Sequence, residues 1–185
     1  MINEQYIKQG KFIALISFLS GTFIFGAFFL TSEFKLLFVG YVFIAVATVI
    51  NLGFLVAILI KVLHNKAQIK KALATCGLML LNIPVTLFYC WIAITLMNTM
   101  RITFINATQI DVTDIKITGC EPGHILKLQP GESQTIWVDI TGDCSIDIEY
   151  LSNGQLTKES VADYVTNSLG QKIEYKIGGK NEKPF

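Results

Sequence analysis

Cys120, His124 and Cys144 are the residues whose types invite chemistry. Two thiolates and an imidazole suit zinc or copper. The set is short of ligands, because this half of the chain has no second His and no CxxC pair. Thiol exchange is no better served, since catalytic pairs usually sit in a CxxC spacing. Outside the cytoplasm the two cysteines would instead hold a persistent disulfide. A loop of about 25 residues closed this way adds roughly 3 kcal/mol in the chain-entropy treatment. The expectation is a structural Cys120–Cys144 bridge, with no metal and no cofactor.

The remaining polar groups give weaker signals. Asp111, Asp114, Glu121, Asp139, Asp143, Asp147 and Glu149 show no EF-hand spacing. Asp139, Asp147 and Glu149 alternate with apolar residues and read as a solvated strand face. Asn106-Ala107-Thr108 fits a glycosylation acceptor. No GxSxG, Walker A, GxGxxG or HExxH motif is present, so no enzymatic activity is expected. Cys76 and Cys90 stand 14 residues apart in one uncharged run. Along a helix that is about 21 Å, so they cannot pair and read as small apolar side chains.

Two different materials must position these residues. The 185-residue chain is 52% hydrophobic and only 16% charged, where a soluble domain is about 25% charged. Its net charge of +1 is a cancellation. Residues 1–100 carry seven Lys/Arg and two Asp/Glu, which is +5, and residues 101–185 carry eight and twelve, which is −4. A single soluble globule is excluded, and no basic face points to nucleic acid.

In the first half, uncharged runs extend from Phe12 to Ser32, Leu36 to Ile60 and Ala72 to Met100. Each meets the length of about 20 residues needed to span a bilayer as a helix. Three transmembrane helices are predicted near 12–31, 36–61 and 73–98. The first is read as retained, because its end has no small-x-small cleavage site. Lys8, Lys11, Lys61, Lys66, Lys70 and Lys71 face Lys35 and Arg101 across the predicted topology. That bias places the N-terminus and the second loop in the cytoplasm and the C-terminal half outside it. No ionisable side chain interrupts the runs, which argues against a proton-coupled pump. Asn51 and Asn82 are expected to glue helices, at about 0.6 kcal/mol each. Pro84 is expected to bend the third helix.

From Arg101 the period changes to two. Ile102 and Phe104, Ile115 and Ile117, Ile136 to Ile140, Ile146 to Tyr150, and Ile173 to Ile177 each alternate with polar residues. Pro122-Gly123, Pro130-Gly131, Thr141-Gly142-Asp143 and Asn153-Gly154 supply the breaks. Seven antiparallel strands are predicted at 101–106, 114–119, 125–128, 133–140, 144–151, 155–165 and 171–178. Residues 159–169 also fit a short helix, through Val161, Tyr164, Val165 and Leu169. With simple alternation of strands, both outer cysteines fall at the membrane-proximal end. The Leu-x-Pro-Gly-Glu-Ser stretch at 128–133 resembles a turn frequent in bacterial immunoglobulin-like and fibronectin-like modules. The fold class is therefore a three-helix membrane domain, 1–100, an all-β immunoglobulin-like sandwich, 101–178, and a flexible tail, 179–185. The function expected of this arrangement is a membrane-anchored envelope interaction module. An accessory subunit of this kind meets the lipid bilayer and other membrane or envelope proteins, in a bacterial inner membrane. The alternative is an oligomeric transport or channel component.

Overall fold

The computed structural model describes residues 4–64 and 69–181. Lys66 and the last four residues of the tail lie outside the described residues. The chain divides into two compact units, Met1–Ala93 and Ile94–Phe185.

The first unit is helical. Helix α1 spans Glu4–Thr31, α2 Phe34–His64, and α3 begins at Ile69 and ends at Met97. At 1.5 Å per residue they are about 42 to 47 Å long, beyond the ~30 Å of a hydrocarbon core. All three are long and apolar enough to cross a membrane, and the chain is a membrane protein. The helices overrun the uncharged stretches because lysine and glutamate are good helix formers. Between α1 and α2 the chain reverses in two residues. Ser32 takes a left-handed conformation (φ 57°) and its N–H donates to the Phe28 carbonyl at 2.8 Å, closing α1.

With lipid on the outside, helices pack through close approach rather than through hydrophobic exclusion. Gly10, Ala14, Ser17 and Gly21 form a small-residue stripe at three- and four-residue spacing on α1. A Cβ at Gly10 would lie 2.8 Å from Ile58 Cδ1 and 3.0 Å from Thr75 Cγ2. Around it Ile7, Ala14, Ile58, Val62, Ala72, Cys76 and Met79 make the buried core of the bundle.

The second unit is a sandwich of two sheets with no closed barrel. Its strands are β1 Thr99–Asn106, β2 Val112–Thr118, β3 Gly123–Leu128, β4 Ser133–Asp139, β5 Cys144–Ser152, β6 Gln155–Val165 and β7 Lys172–Ile177. One sheet has the order β4-β1-β7 and the other β3-β2-β5-β6. The inward residues of both sheets meet in one core, including Phe104, Ile115, Ile117, Ile125, Ile146, Ile148 and Ile177. The expected seven strands are all present. One feature corrects the all-antiparallel expectation, since β1 pairs with β7 in parallel. The parallel pair arises because the chain crosses from the edge of one sheet (β6) to the edge of the other (β7) through residues 166–171.

Residues 159–165 are strand, so the helical alternative for this segment is overturned. The helical spacing came from two irregularities in register opposite β5, one on each side of Ile146. They turn both Val161 and Ala162 into the core. A bulge of this kind breaks the period of two without ending the strand. The Asn153-Gly154 turn is as predicted, with positive φ at both residues (51° and 74°).

Gly119 occupies the tightest place in the sandwich. Its φ is +106°, and a Cβ there would overlap the backbone carbonyl oxygen of Ser145. Gly142 has open space around it. Strained φ and overpacking each cost about 1–3 kcal/mol. Gly119→Ala is therefore expected to destabilise the sandwich by roughly 3 kcal/mol, while Gly142→Ala leaves it within about 0.5 kcal/mol. Denaturant unfolding of the detergent-solubilised protein, followed by Trp137 fluorescence, measures both.

Candidate functional site

Cys120, Cys144 and His124 of the second unit are each brought into bonds. Cys120 and Cys144 form a disulfide with Cα atoms 5.4 Å apart. It joins the segment after β2 to the start of β5, two strands that are already neighbours. It lies at the end of the sandwich where β1 begins: the Glu121 N–H donates to the Asp139 carbonyl (3.3 Å), and Asp139 pairs with Thr99. His124 does not approach the thiols as a ligand. Its Nε2 lies 2.9 Å from Asp114 Oδ1, and Lys116 Nζ lies 3.2 Å from the other oxygen. His124 and Lys116 hold the Asp114 carboxyl below the usual carboxylate range. Among the described residues no group of His, Cys, Asp and Glu is placed to hold a metal ion.

Asn106 overturns the glycosylation reading. It is 1% exposed, and its side chain ties the ends of β1 and β3 to the segment before β2. Nδ2 donates to the Ile110 carbonyl (2.8 Å) and the Leu128 carbonyl (2.9 Å). Oδ1 accepts from the Thr108 N–H (2.9 Å) and hydroxyl (2.6 Å). The Asn-x-Thr spacing is thus a buried Asx turn, in which Thr108 serves Asn106 and both amide hydrogens are used. The backbone of Asn106 also bonds Gly131 and Glu132 of the Pro130-Gly131 turn.

A second polar knot was not legible in the sequence. The Glu159 carboxylate on β6 accepts from Tyr150 OH of β5 (2.5 Å) and from Tyr175 OH of β7 (2.8 Å). It links the edges of the two sheets. Burial, and then the Glu159 carboxylate, push both tyrosines well above their ordinary range.

At the start of β1 the last turn of α3 is capped from within the sandwich. Gly170 N–H donates to the Met97 carbonyl at 2.7 Å, and Ile140 N–H to the Asn98 carbonyl at 2.9 Å. Asn98 Oδ1 accepts from Ser168 N–H (3.2 Å), and Thr99 Oγ1 lies 2.9 Å from both the Thr95 carbonyl and Asp139 Oδ1. Only glycine fits at 170, because a Cβ would press on the Leu96 and Met97 carbonyls. Beside this seam, Arg101 is buried with its guanidinium 5.7 Å from the Trp137 ring.

In the first unit the predicted polar residues do cross between helices. Asn51 Nδ2 donates to Ser17 Oγ (2.8 Å), joining α2 to α1, and Asn82 Nδ2 to the Ala14 carbonyl (3.0 Å), joining α3 to α1. The two acceptors lie one turn apart on the small-residue stripe. Near the other end of α1, Tyr89 shares a hydrogen bond with Thr22 (3.0 Å) and stacks on Phe25 at 4.4 Å. Sequence reasoning missed this pair, although Thr22 and Phe25 already sit one turn apart on α1. Pro84 lies exposed in a helix that continues through it. Lys61 Nζ stands over the Tyr6 ring, and Lys70 and Lys71 are exposed.

No family model and no curated protein matches the chain. Among solved structures, an NMR structure of a protein from Eubacterium rectale is similar at 20% identity and a TM-score of 0.33. The match covers 42% of this chain and 74% of that one, and at this TM-score it carries no argument about fold or function.

Two outcomes follow from the knots. Asn106→Ala strands two carbonyls and the Thr108 N–H inside the protein. At about 1–3 kcal/mol for each orphaned group, a loss of roughly 3–5 kcal/mol is expected in denaturant unfolding. The tyrosines set a limit at high pH. Their folded pKa lies above the unfolded value near 10, so the folded state holds protons that the unfolded state releases. That contribution is full below pH ~10 and is lost as pH rises above it. Thermal melts between pH 8 and 12 should show stability falling above pH ~10, with a shallower fall in the Tyr150→Phe/Tyr175→Phe double variant.

Proposed function

We propose that the protein is a membrane-anchored interaction module whose sandwich is displayed outside the cytoplasm to bind another membrane or envelope protein. The observation that carries this reading is where the polar side chains go. Cys120, Cys144, Asn106, His124 and Glu159 are each engaged in bonds that fasten strands to one another. A scaffold whose reactive groups are spent on rigidity suits recognition, because a preorganised surface loses little entropy on binding.

The lysine bias supports the orientation. Lys8, Lys11, Lys61, Lys70 and Lys71 belong to the side that also holds the N-terminus, and Lys66 falls in the same connection. Basic residues near helix ends stay in the cytoplasm. A bacterial inner membrane is the setting we assign. The sandwich then lies in the periplasm, where a disulfide persists.

The deciding experiment is extraction in a mild detergent followed by identification of copurifying proteins. One membrane or envelope protein in near-stoichiometric amount is expected, and it should be lost when residues 98–181 are removed. Isolation of the chain alone as a closed ring that passes ions in proteoliposomes would favour the channel reading instead. In spheroplasts, added protease should remove the sandwich and spare the helices; complete protection would reverse the orientation.

A further inference from the structure

One exposed aromatic side chain, Trp137, stands beside the seam between α3 and β1. The uncharged run of α3 is centred near residue 86, so a core of about 20 residues ends close to Leu96. The polypeptide advances at most ~3.6 Å per residue, so Arg101, five residues beyond Leu96, lies within roughly 18 Å of that level. Arg101 pairs across the sheet with Trp137 on one side and Lys172 on the other. Directly opposite residues stand about 5 Å apart. The three therefore form one row on the outer face of the β4-β1-β7 sheet, near the end at which the helix enters the sandwich.

The side chains of this row have the chemistry of a bilayer interface. Trp137 is 50% exposed although it is large and apolar. Lys172 beside it is exposed, while Arg101 is buried with its guanidinium toward the indole. Tryptophan concentrates at headgroup level, where its ring is partly in hydrocarbon and its N–H is wet. A lysine stem can lie along apolar surface and carry its ammonium to a phosphate. The acids at this end are exposed, and three of them accept hydrogen bonds from the fold. Glu121 Oε2 accepts from the Asp139 N–H, Asp139 Oδ1 from the Thr99 hydroxyl, and Asp143 Oδ1 from the Thr166 hydroxyl.

We propose that Trp137 and Lys172 dock on the phospholipid headgroup layer, with Trp137 inserted at the glycerol level and Lys172 on a lipid phosphate. The sandwich is thereby held against the bilayer at a second point besides the helix. The inference goes beyond partner binding and requires only that α3 crosses the membrane, whichever side the sandwich occupies.

The protein has two tryptophans, Trp91 and Trp137, so each can be read alone. Trp91 is exposed on α3, and Trp91→Phe leaves Trp137 as the single reporter. The full chain is reconstituted into phosphatidylcholine vesicles carrying a nitroxide quencher either near the glycerol end or at the middle of the acyl chain. Trp137 emission is expected to fall by at least about half with the shallow quencher, and roughly twofold less with the deep one. Trp137→Phe supplies the comparison, with Trp91 quenched in the acyl region. Removing the ammonium with Lys172→Gln should weaken the shallow quenching of Trp137. Quenched Trp91 with unquenched, acrylamide-accessible Trp137 would overturn the proposal. Neither residue quenched would overturn it too, and with it the membrane crossing of α3. Loss of the copurifying protein with Trp137 still quenched would instead count only against partner binding.

Discussion

The end of α3 is the constraint on which the sandwich depends. A helix leaves its last four carbonyls without partners. Here the sandwich supplies the donors. Gly170 and Ile140 bond Met97 and Asn98, and Ser168 bonds the Asn98 side chain. Two of these donors come from the crossing between β6 and β7. The same crossing brings β7 alongside β1 in parallel, with Arg101 N–H donating to the Gln171 carbonyl at 2.8 Å. Helix capping and the parallel pair are therefore one structural event. Gly170 must be glycine because the cap brings two backbones closer than any Cβ allows.

The rest of the sandwich answers the problem this creates. A chain that begins in the membrane and closes its first strand with its last has a high sequence separation to hold together. The disulfide shortens it between β2 and β5, Asn106 gathers the far ends of β1 and β3, and Glu159 joins β5 and β6 to β7 across the sheets. A domain of this size is near the lower limit for a self-sufficient core. Three separated fastenings do more than one, since each restrains strands that the others leave unlinked.

What was legible in the sequence follows from periodicity, and what was not follows from its local failure. All seven strands and three helices could be read because Ile102, Ile115, Ile146 and Tyr175 alternate cleanly and because charges bound the apolar runs. The Cys120–Cys144 bridge was readable by elimination. Residues 159–169 were ambiguous because bulges put Val161 and Ala162 on one face, which mimics helical spacing. The parallel β1–β7 pair has no local signature, as pairing partners distant in sequence leave no mark on either strand. Asn106 was misread for a related reason. A sequon records side-chain identity and not burial, and here the threonine that would complete it is the asparagine's own hydrogen-bond partner. The Glu159 knot joins residues 9 and 16 apart from it, too far for any pattern of spacing to mark.

The acidic balance of the second unit also takes on a different meaning. An excess of −4 over 85 residues (101–185) could set up a field that steers a basic partner. The placement of the charges works against that. Across the outer face of the four-stranded sheet, Lys158 pairs with Glu149 at 3.3 Å, Lys116 stands opposite Glu149, and Asp114 lies between Lys116 and His124. Opposite charges facing each other across strands stabilise the sheet by a few tenths of a kcal/mol to about 1 kcal/mol, and they cancel one another's field. Glu121, Asp139 and Asp143 accept hydrogen bonds at exposed positions, and Glu159 accepts them where the sheets meet. Several of the acids thus serve as acceptors or cross-strand partners while keeping their charge. The unit still carries its excess of −4, and the exposed apolar side chains Leu126, Leu156 and Tyr164 interrupt its charged surface.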